Sequence, residues 1–184
     1  MKVILLHGKD ASPSDKWYPW LRKEVERLGV EFHAPTLPNP SDPRIEEWKS
    51  ALSQLRPDED TILIGHSRGG VAILRWLEDQ KPSVKVRKVI LVATNSGLLS
   101  KRAIKGESNF GFYTDEGYDF GRIKKHSDSF VILHSKDDEW VPYDAGLENA
   151  SGLDAKFRSF ENKGHFGSKV KEVPEIMAEV QGDS

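Results

Sequence analysis

Ser67 is the residue whose setting most clearly indicates chemistry in this chain. It lies in the Gly-x-Ser-x-Gly pattern of residues 65–69, after the apolar run 62–64 and before the amphipathic stretch 71–77. Between a strand and a helix, this pattern forms a tight turn that projects the serine hydroxyl above the sheet edge. A serine between glycines also occurs in ordinary turns and in loops that contact phosphate. The apolar run before it and the helical pattern after it favour a nucleophile.

A histidine that follows Ser67 late in the chain is the candidate general base. His165 lies in the glycine-flanked loop 164–167, after two carboxylates, which is the order that a serine on such a turn requires. We expect His165 to take the proton of Ser67 as the serine attacks a carbonyl carbon. A histidine in a glycine turn is otherwise commonly a surface residue. The position of His165 after the two carboxylates favours the role of general base.

Asp137 and Asp138 follow the apolar run 130–133, and one of them is expected to hold the imidazole in its working tautomer. Proximity in sequence does not separate two adjacent carboxylates. Asp138 is preferred because Val141 and Pro142 follow it at the spacing of a helix start, where proline suits the first turn. Acids at this place also favour the positive end of a helix dipole, a role that is compatible with catalysis.

The second donor of an oxyanion site is expected in the loop after the first strand. There, His7 and Gly8 end the apolar run 3–6. Gly8 lets the backbone turn close to the serine, so the backbone N–H of Lys9 is the candidate, paired with that of Arg68. The Gly-Gly-Gly form of this loop is absent. The Arg68 side chain either biases the site toward anionic or polar substrates or lies on the helix surface.

Apolar runs alternate with helical patterns along the chain, which predicts βαβ units and a mostly parallel sheet. The fold class is therefore α/β, a three-layer α/β/α sandwich with about six strands. The expected strands are residues 3–6, 30–34, 61–64, 88–92, 130–133 and 156–160. The expected helices are residues 17–28, 44–55, 68–80, 142–150 and 169–180, with Gly29 as the left-handed cap of the first. The candidate site residues then lie at the carboxyl ends of strands, where open α/β sheets bind ligands.

Residues 96–127 show no clear element. Glycines recur through the segment, and the aromatic residues Phe110, Phe112, Tyr113, Tyr118 and Phe120 lie among them. Loops of this length in a domain are usually functional or disordered, and aromatic residues argue against disorder. The segment is interpreted either as a short flap that walls a pocket or as a packed excursion that covers the sheet edge.

Several residues near the candidate triad are expected to contact substrate. Phe112 and Tyr113 belong to the segment 96–127, Trp140 follows the acid, and Phe166 follows the base. The alternative for these aromatic residues is a place in the core. His66, which directly precedes the serine, is a further candidate for substrate binding.

The chain resembles the small α/β-hydrolase-fold serine hydrolases that include retinoblastoma-binding protein nine and its bacterial relatives. The resemblance covers nearly the whole length, and its features occur in the family's order: His7-Gly8, the aromatic stretch 17–21, the proline-rich stretch 35–43 with Trp48, the pattern 65–69, the aromatic stretch 112–120, Asp137-Asp138 before Val141-Pro142, and Gly164-His165-Phe166. It implies a compact hydrolase without a large cap, with Ser67, Asp138 and His165 as the triad. Binding of the retinoblastoma protein is associated in that family with a Leu-x-Cys-x-Glu motif. This chain has no cysteine, so the chemistry is carried over and the partner is not.

Composition limits the function classes further. At 184 residues, the chain is expected to form a single domain over residues 1–184. Lys and Arg total 27 against 29 Asp and Glu, and the net charge of −2 gives no reason to expect nucleic-acid binding. The absence of cysteine excludes disulfides and thiolate metal sites. The opening apolar run is too short for a signal peptide, and no run reaches membrane-spanning length, so a cytoplasmic location without membrane binding is expected.

These features together predict a carboxylesterase-like serine hydrolase. Its expected substrate is a small ester or other acyl compound, with thioesters and amides as alternatives. No cofactor and no metal are expected. A site formed by His7, His66, His134 and His165 is conceivable, but their spacing matches no ligand motif. The remaining alternatives are transfer of the acyl group to an acceptor other than water, a haloperoxidase-like use of the triad, and a non-catalytic interaction module on the same scaffold. A protein partner is left open.

Overall fold

The computed structural model describes residues 1–101 and 111–182, which form six strands and six α-helices. The strands are β1 (Lys2–Leu6), β2 (Glu31–His33), β3 (Thr61–His66), β4 (Lys88–Val92), β5 (Phe130–Ser135) and β6 (Lys156–Phe160). The helices are α1 (Tyr18–Arg27), α2 (Ile45–Gln54), α3 (Arg68–Asp79), α4 (Phe120–Ile123), α5 (Tyr143–Leu153) and α6 (Pro174–Gln181), with 3₁₀ turns at Leu99–Lys101 and Lys124–His126. No helix in these ranges is long and apolar enough to cross a bilayer.

The strands form one sheet in the order β2-β1-β3-β4-β5-β6, and every neighbouring pair is parallel. The chain runs from β1 outward to β2 and then returns to the other side of β1 as β3. The strand order therefore reverses between β1 and β3, and ligands of open α/β sheets bind at such a reversal, beyond the carboxyl ends of the strands. Leu6 of β1 pairs with Gly65 of β3, so Gly8 and Ser67 leave the sheet side by side.

Two apolar cores lie on opposite faces of the sheet. Alternate strand residues point to opposite faces, so Ile4 and Leu6 join one core while Val3 and Leu5 join the other. Helices α2, α3 and α5 cover the first face, and α1 and α6 cover the second. The predicted α/β/α sandwich with about six strands is confirmed.

Most of the predicted elements are present, with differences at their ends. Strands β3 and β5 each run two residues further than predicted, to His66 and Ser135. Gly29 has a φ of 72°, which confirms the left-handed cap after α1. The predicted helix over 169–180 is wrong in its first half, since α6 begins only at Pro174. Proline disfavours helical backbone in the residue before it, and Val173 is accordingly non-helical, with a φ of −135° and a ψ of 78°.

Part of the segment 96–127 is attached to α3. Arg75 of α3 is buried and donates hydrogen bonds to the carbonyl oxygens of Gly97, Phe112 and Gly117, at 3.0, 3.1 and 2.8 Å. Residues 102–110, which include Phe110, lie outside the described residues. The described parts therefore have a fixed attachment beside the first turns of α3.

Candidate active site

Ser67 occupies a strained turn between β3 and α3. Its φ of 52° and ψ of −120° lie in a region that L-residues rarely adopt. Small neighbours make the turn possible: a Cβ atom on Gly65 would lie 2.4 Å from Gly70 Cα, and one on Gly69 would lie 2.2 Å from the carbonyl oxygen of Leu6. The backbone N–H of Ser67 donates to Val92 O at 2.8 Å, which ties the turn to β4. This is the strained strand-to-helix geometry of a nucleophile elbow.

His165 lies on a tight loop after β6, where Gly164 and Phe166 both have a φ of 51°. Its Nδ1 lies 2.8 Å from Asp138 Oδ2 and 3.0 Å from Asp138 Oδ1. The side chain of His165 is 17% exposed, whereas that of Asp138 is fully buried. Since a carboxylate accepts the Nδ1 proton, the other ring nitrogen, Nε2, carries the lone pair that a general base needs.

Asp138 is held as an anion by its neighbours. Its Oδ1 accepts hydrogen bonds from the backbone N–H groups of Trp140 and Val141, both at 2.9 Å. His134 Nε2 lies 3.4 Å from its Oδ2. Burial alone would raise the pKa of Asp138, but the hydrogen bonds from His134 and His165 outweigh it and hold the pKa well below the usual range of aspartate. The carboxylate is therefore ionised at neutral pH.

Asp137 has different partners from Asp138. Its Oδ1 accepts hydrogen bonds from the Ser135 hydroxyl and, at 2.9 Å, from the backbone N–H of Gly164. Ser135 Oγ in turn accepts from the backbone N–H of Lys163 at 3.0 Å. The imidazole of His165 thus meets the carboxylate that the sequence pattern favours, and the adjacent carboxylate supports the loop that carries it.

His66, the residue before Ser67, is buried between the loops of the site. Its Nε2 donates to the backbone carbonyl of His165 at 2.8 Å, and its Nδ1 accepts from the Tyr18 hydroxyl at 2.6 Å. The Tyr18 oxygen accepts from the backbone N–H of Gly8 at 3.4 Å. Burial and the nearby His165 keep the pKa of His66 well below its ordinary value. His66 therefore contacts the protein on both ring nitrogens rather than a substrate.

The two candidate oxyanion donors flank Ser67. A Cβ atom on Gly8 would lie 3.3 Å from Ser67 Cβ, so the loop that continues into Lys9 passes directly beside the serine. Arg68 is the first residue of α3, and backbone N–H groups at a helix start point outward along the axis. The Arg68 guanidinium lies over the rings of Phe112 and Tyr113, at 5.0 and 5.3 Å. Its side chain is buried rather than spread over the helix surface.

The aromatic substrate candidates divide into core and surface. Phe112 and Phe166 are fully buried and pack edge-to-face on Trp48 and Phe160 respectively, so the core interpretation fits them. Tyr113 is 5% exposed beneath Arg68. Trp140, in contrast, is 57% exposed.

An open groove lies beside the candidate base. Its volume is about 480 Å³, and its lining includes Trp140, Lys163, His165 and Lys171. Because His165 borders the groove, a substrate bound next to His165 can also contact the groove. Trp140 is thus the aromatic candidate that the structure leaves open to a ligand.

The histidines near the site do not form a metal centre. His7 Nε2 accepts from the backbone N–H of Leu37 at 3.1 Å, and its Nδ1 donates to Gly8 O at 2.8 Å. The lone pairs of His7 and His66 that a metal would need are thus used by N–H and O–H donors. Among residues 1–101 and 111–182, no three His, Asp or Glu side chains are grouped to hold a metal ion.

Tyr18 was not a candidate site residue from the sequence. It lies in the aromatic start of α1, 48 residues before His66, and is completely buried. The only signal was a tyrosine in an apolar helix start, because a buried tyrosine usually finds a hydrogen-bond partner for its hydroxyl.

The sequence is similar to those of known hydrolases. The sequence profile of a family described as serine hydrolase matches residues 3–179. The chain is 32% identical to YdeN of Bacillus subtilis over 167 residues, 90% of this chain and 85% of that protein. It is also 32% identical to the serine hydrolase RBBP9 of Rattus norvegicus over 169 residues, 90% of this chain and 87% of that protein.

Solved structures give the same picture of the fold. The structure of the ydeN gene product from B. subtilis superimposes with a TM-score of 0.87 at 29% identity, covering 98% of this chain and 97% of that chain. Est1E from Butyrivibrio proteoclasticus superimposes with a TM-score of 0.69 at 14% identity, covering 97% and 84% of the two chains. The second likeness concerns the fold alone.

Proposed function

The chain belongs to the serine hydrolase family, and from that membership we propose that it hydrolyses small carboxylic esters through an acyl-enzyme on Ser67. The observation that carries the proposal is the 2.8 Å contact between His165 Nδ1 and Asp138 Oδ2, made by a loop that is tied to the residue preceding Ser67. A neutral imidazole oriented by a buried carboxylate is the base that an activated serine requires.

In the first half of the proposed reaction, Ser67 Oγ attacks the carbonyl carbon while His165 Nε2 takes the hydroxyl proton. The backbone N–H groups of Lys9 and Arg68 stabilise the negative charge on the carbonyl oxygen, and a single donor of this kind is worth about 3 kcal/mol of barrier. The bond to the leaving alcohol then breaks, and the imidazolium returns its proton to that oxygen. Asp138 stabilises the imidazolium while it exists.

In the second half, water takes the place of the alcohol. His165 removes a proton from the water as it attacks the acyl carbon, and Ser67 leaves with that proton. The same steps would cleave the C–S bond of a thioester or the C–N bond of an amide, which are the alternative substrates.

We expect acyl groups of modest size. Trp140 is exposed beside the groove at His165 and offers an apolar face, whereas Phe112 and Phe166 are enclosed in the cores. Because the groove beside His165 is open rather than enclosed, p-nitrophenyl acetate and butyrate are expected to be cleaved faster than long-chain esters. Faster cleavage of long-chain esters would contradict this part of the proposal.

The experiment compares the wild type with Ser67→Ala. A fluorophosphonate probe is expected to label the wild type, and p-nitrophenyl butyrate to be hydrolysed by it, whereas the variant does neither. Circular dichroism and the thermal midpoint establish that the variant is folded. A folded wild type that neither labels nor hydrolyses would overturn the proposal and favour an interaction module on the hydrolase scaffold.

A further inference from the structure

A chain of three hydrogen bonds crosses the site beneath Ser67 and is not used by the proposed mechanism. It runs from the backbone N–H of Gly8 to the Tyr18 oxygen, from the Tyr18 hydroxyl to His66 Nδ1, and from His66 Nε2 to the carbonyl of His165. The three distances are 3.4, 2.6 and 2.8 Å. The chain thus connects the loop after β1, the end of β3 and the loop after β6.

The direction of every bond in this chain is fixed by its two ends. The amide of Gly8 can only donate, and the carbonyl of His165 can only accept. His66 therefore carries its proton on Nε2, and its Nδ1 is left to accept the proton of the Tyr18 hydroxyl. Burial keeps His66 neutral by lowering its pKa, and in the neutral form only this tautomer satisfies both contacts.

We propose that His66 and Tyr18 are positioning residues that hold the loop of His165 and the loop of Lys9 at a fixed separation on either side of Ser67. The inference rests on the proposed function, since those loops would carry the base and an oxyanion donor. The rate depends on the distances from the base and the oxyanion donor to the reacting carbonyl, because a misplacement of about 1 Å can lower the rate on the order of a hundredfold.

The surroundings of the pair leave it little freedom to rearrange. His66 is 1% exposed and Tyr18 is completely buried. Trp17 packs edge-to-face on both rings, at 4.8 Å from Tyr18 and 5.9 Å from His66. This aromatic packing limits rotation of both rings, so the Tyr18 hydroxyl stays directed at His66 Nδ1.

A neutral histidine suits this place for an electrostatic reason. The rings of His66 and His165 lie 5.1 Å apart between centroids. His165 becomes a cation during the reaction, and a second buried cation at that distance would oppose the change. Burial, the nearby His165 ring and Lys16 lower the pKa of His66, and together they outweigh the hydrogen bond to the His165 backbone and the charge of Asp138, which raise it.

The test uses two substitutions that differ in reach. In His66→Gln, the side-chain amide can lie near the place of Nε2 and can still donate to the His165 carbonyl. In His66→Asn, the shorter amide lies near the place of Nδ1 and cannot span that distance. With p-nitrophenyl butyrate, we expect His66→Asn to lower kcat about 30-fold with KM changed by less than about twofold, and His66→Gln to stay within about threefold of the wild-type kcat.

Tyr18→Phe is the second, independent variant. It removes one oxygen and keeps the ring, so the packing around Trp17 is preserved. His66 Nδ1 then loses its donor and the link to the backbone of Gly8 is broken, so the loop of Lys9 is no longer held relative to His66. We expect kcat to fall about tenfold with an unchanged KM. A purely structural role would instead lower the thermal midpoint of each variant without this division between kcat and KM.

A spectroscopic readout separates this inference from the proposed function. The proton between His165 Nδ1 and Asp138 gives a low-field NMR resonance, and we expect it to be retained in His66→Gln and broadened or lost in His66→Asn. Equal kcat values for the Asn and Gln variants, together with an unchanged resonance in both, would overturn the positioning role. A wild type without hydrolysis whose resonance still depends on residue 66 in this way would remove the proposed function and leave the positioning role standing.

Discussion

Asp137 and Asp138 are neighbours in sequence whose carboxylates face different partners. Asp138 is buried against His165, whereas Asp137 binds the backbone of Gly164. Because β5 ends at Ser135, both carboxylates lie in the turn that follows it and can contact the loop that carries His165. Asp138 can thus orient the imidazole of His165 while Asp137 holds the loop, because the two carboxylates use different hydrogen-bond partners.

Asp138→Asn is expected to lower kcat for p-nitrophenyl butyrate about 10³- to 10⁴-fold. An amide in this place favours the wrong tautomer of His165 and removes the charge that stabilises the imidazolium. Asp137→Asn is the matched control, one residue away, and is expected to lose less than about tenfold because its amide oxygen can still accept from Gly164. Steady-state kinetics at pH 7 on both folded variants decide the assignment. The reverse ranking of the two losses would assign the orienting role to Asp137.

At the scale of elements, the turn between β3 and α3 depends on backbone packing. A Cβ atom on Gly69 would lie 2.2 Å from Leu6 O, which is a backbone atom of β1 and cannot swing away. Gly69→Ala is therefore expected to lower the free energy of unfolding by about 1–3 kcal/mol or more. Gly167→Ala is the control near the same site, since a Cβ atom there meets nothing within 4 Å. Urea unfolding monitored by circular dichroism measures both, and equal stability of the two variants would contradict the packing argument.

Arg75 makes the most hydrogen bonds between α3 and the described part of the segment 96–127, and the backbone N–H of Asp119 adds one to Glu78 at 2.6 Å. Arg75 satisfies three backbone carbonyls of the segment and also pairs with Glu78 at 2.8 Å. In Arg75→Met those carbonyls lose a charged donor, and the expected loss of unfolding free energy is about 2–4 kcal/mol. Amide exchange at Leu99 and Thr114, which bond across the segment, should accelerate more than exchange in α3.

The control for this prediction is Arg87→Met, which removes an arginine whose side chain is 56% exposed and pairs with Asp60 at 3.7 Å. Such a surface pair is worth only about 0–1 kcal/mol. Unchanged exchange at Leu99 and Thr114 in Arg75→Met would show that the segment is held by its aromatic side chains instead.

The elements were predictable to different degrees for physical reasons. The apolar runs of the strands and the glycines around Ser67 are local signals. They predict the sheet, which is confirmed, and the tight turn at Ser67, whose catalytic role stays a prediction. The predicted start of α6 is too early because Pro174 disfavours helical backbone at Val173, an effect that helical periodicity does not show. The contact of Tyr18 with His66 joins residues 48 positions apart, and no local pattern predicts such a pairing. Closeness in sequence can also mislead. Phe112 and Phe166 adjoin Tyr113 and His165 in the sequence, but their own rings are buried in the cores.

At the scale of the whole molecule, the sheet order brings distant loops to one edge. The chain leaves β1 at Leu6, β3 at His66 and β5 at Ser135, all at their carboxyl ends, and the parallel arrangement places those ends at the same edge of the sheet, with β4 between β3 and β5. The order of the candidate residues in the sequence therefore predicts that they lie at one edge of the sheet, where Asp138 and His165 are in contact. Their separations depend on loop conformation, which the sequence pattern does not specify.

The last helix is fastened to this sheet through one buried carboxylate, and its loss should destabilise the whole molecule. Glu179 of α6 is 4% exposed and contacts Lys88 of β4 and Lys156 and Arg158 of β6, at 3.4, 2.9 and 2.6 Å. Removing it leaves three cations without their common partner. Since these cations are partly exposed, Glu179→Gln is expected to cost about 2 kcal/mol of unfolding free energy, below the roughly 3–5 kcal/mol of a fully buried pair.

The pH dependence of this loss gives the sharpest test. Burial would raise the pKa of Glu179, but Lys156 and Arg158 outweigh it and lower the pKa. A carboxylate whose pKa is lower in the folded state stabilises the fold above its unfolded pKa of about 4.3, and that stabilisation disappears as the pH falls through the folded value. The difference between wild type and Glu179→Gln should therefore be full at pH 7 and shrink below about pH 4. The exposed Glu172→Gln is the control, and kcat of folded Glu179→Gln should equal that of the wild type, because the carboxylate acts on the sheet and not on Ser67. A difference that stayed constant with pH would mean that Glu179 stabilises the molecule by packing rather than by charge.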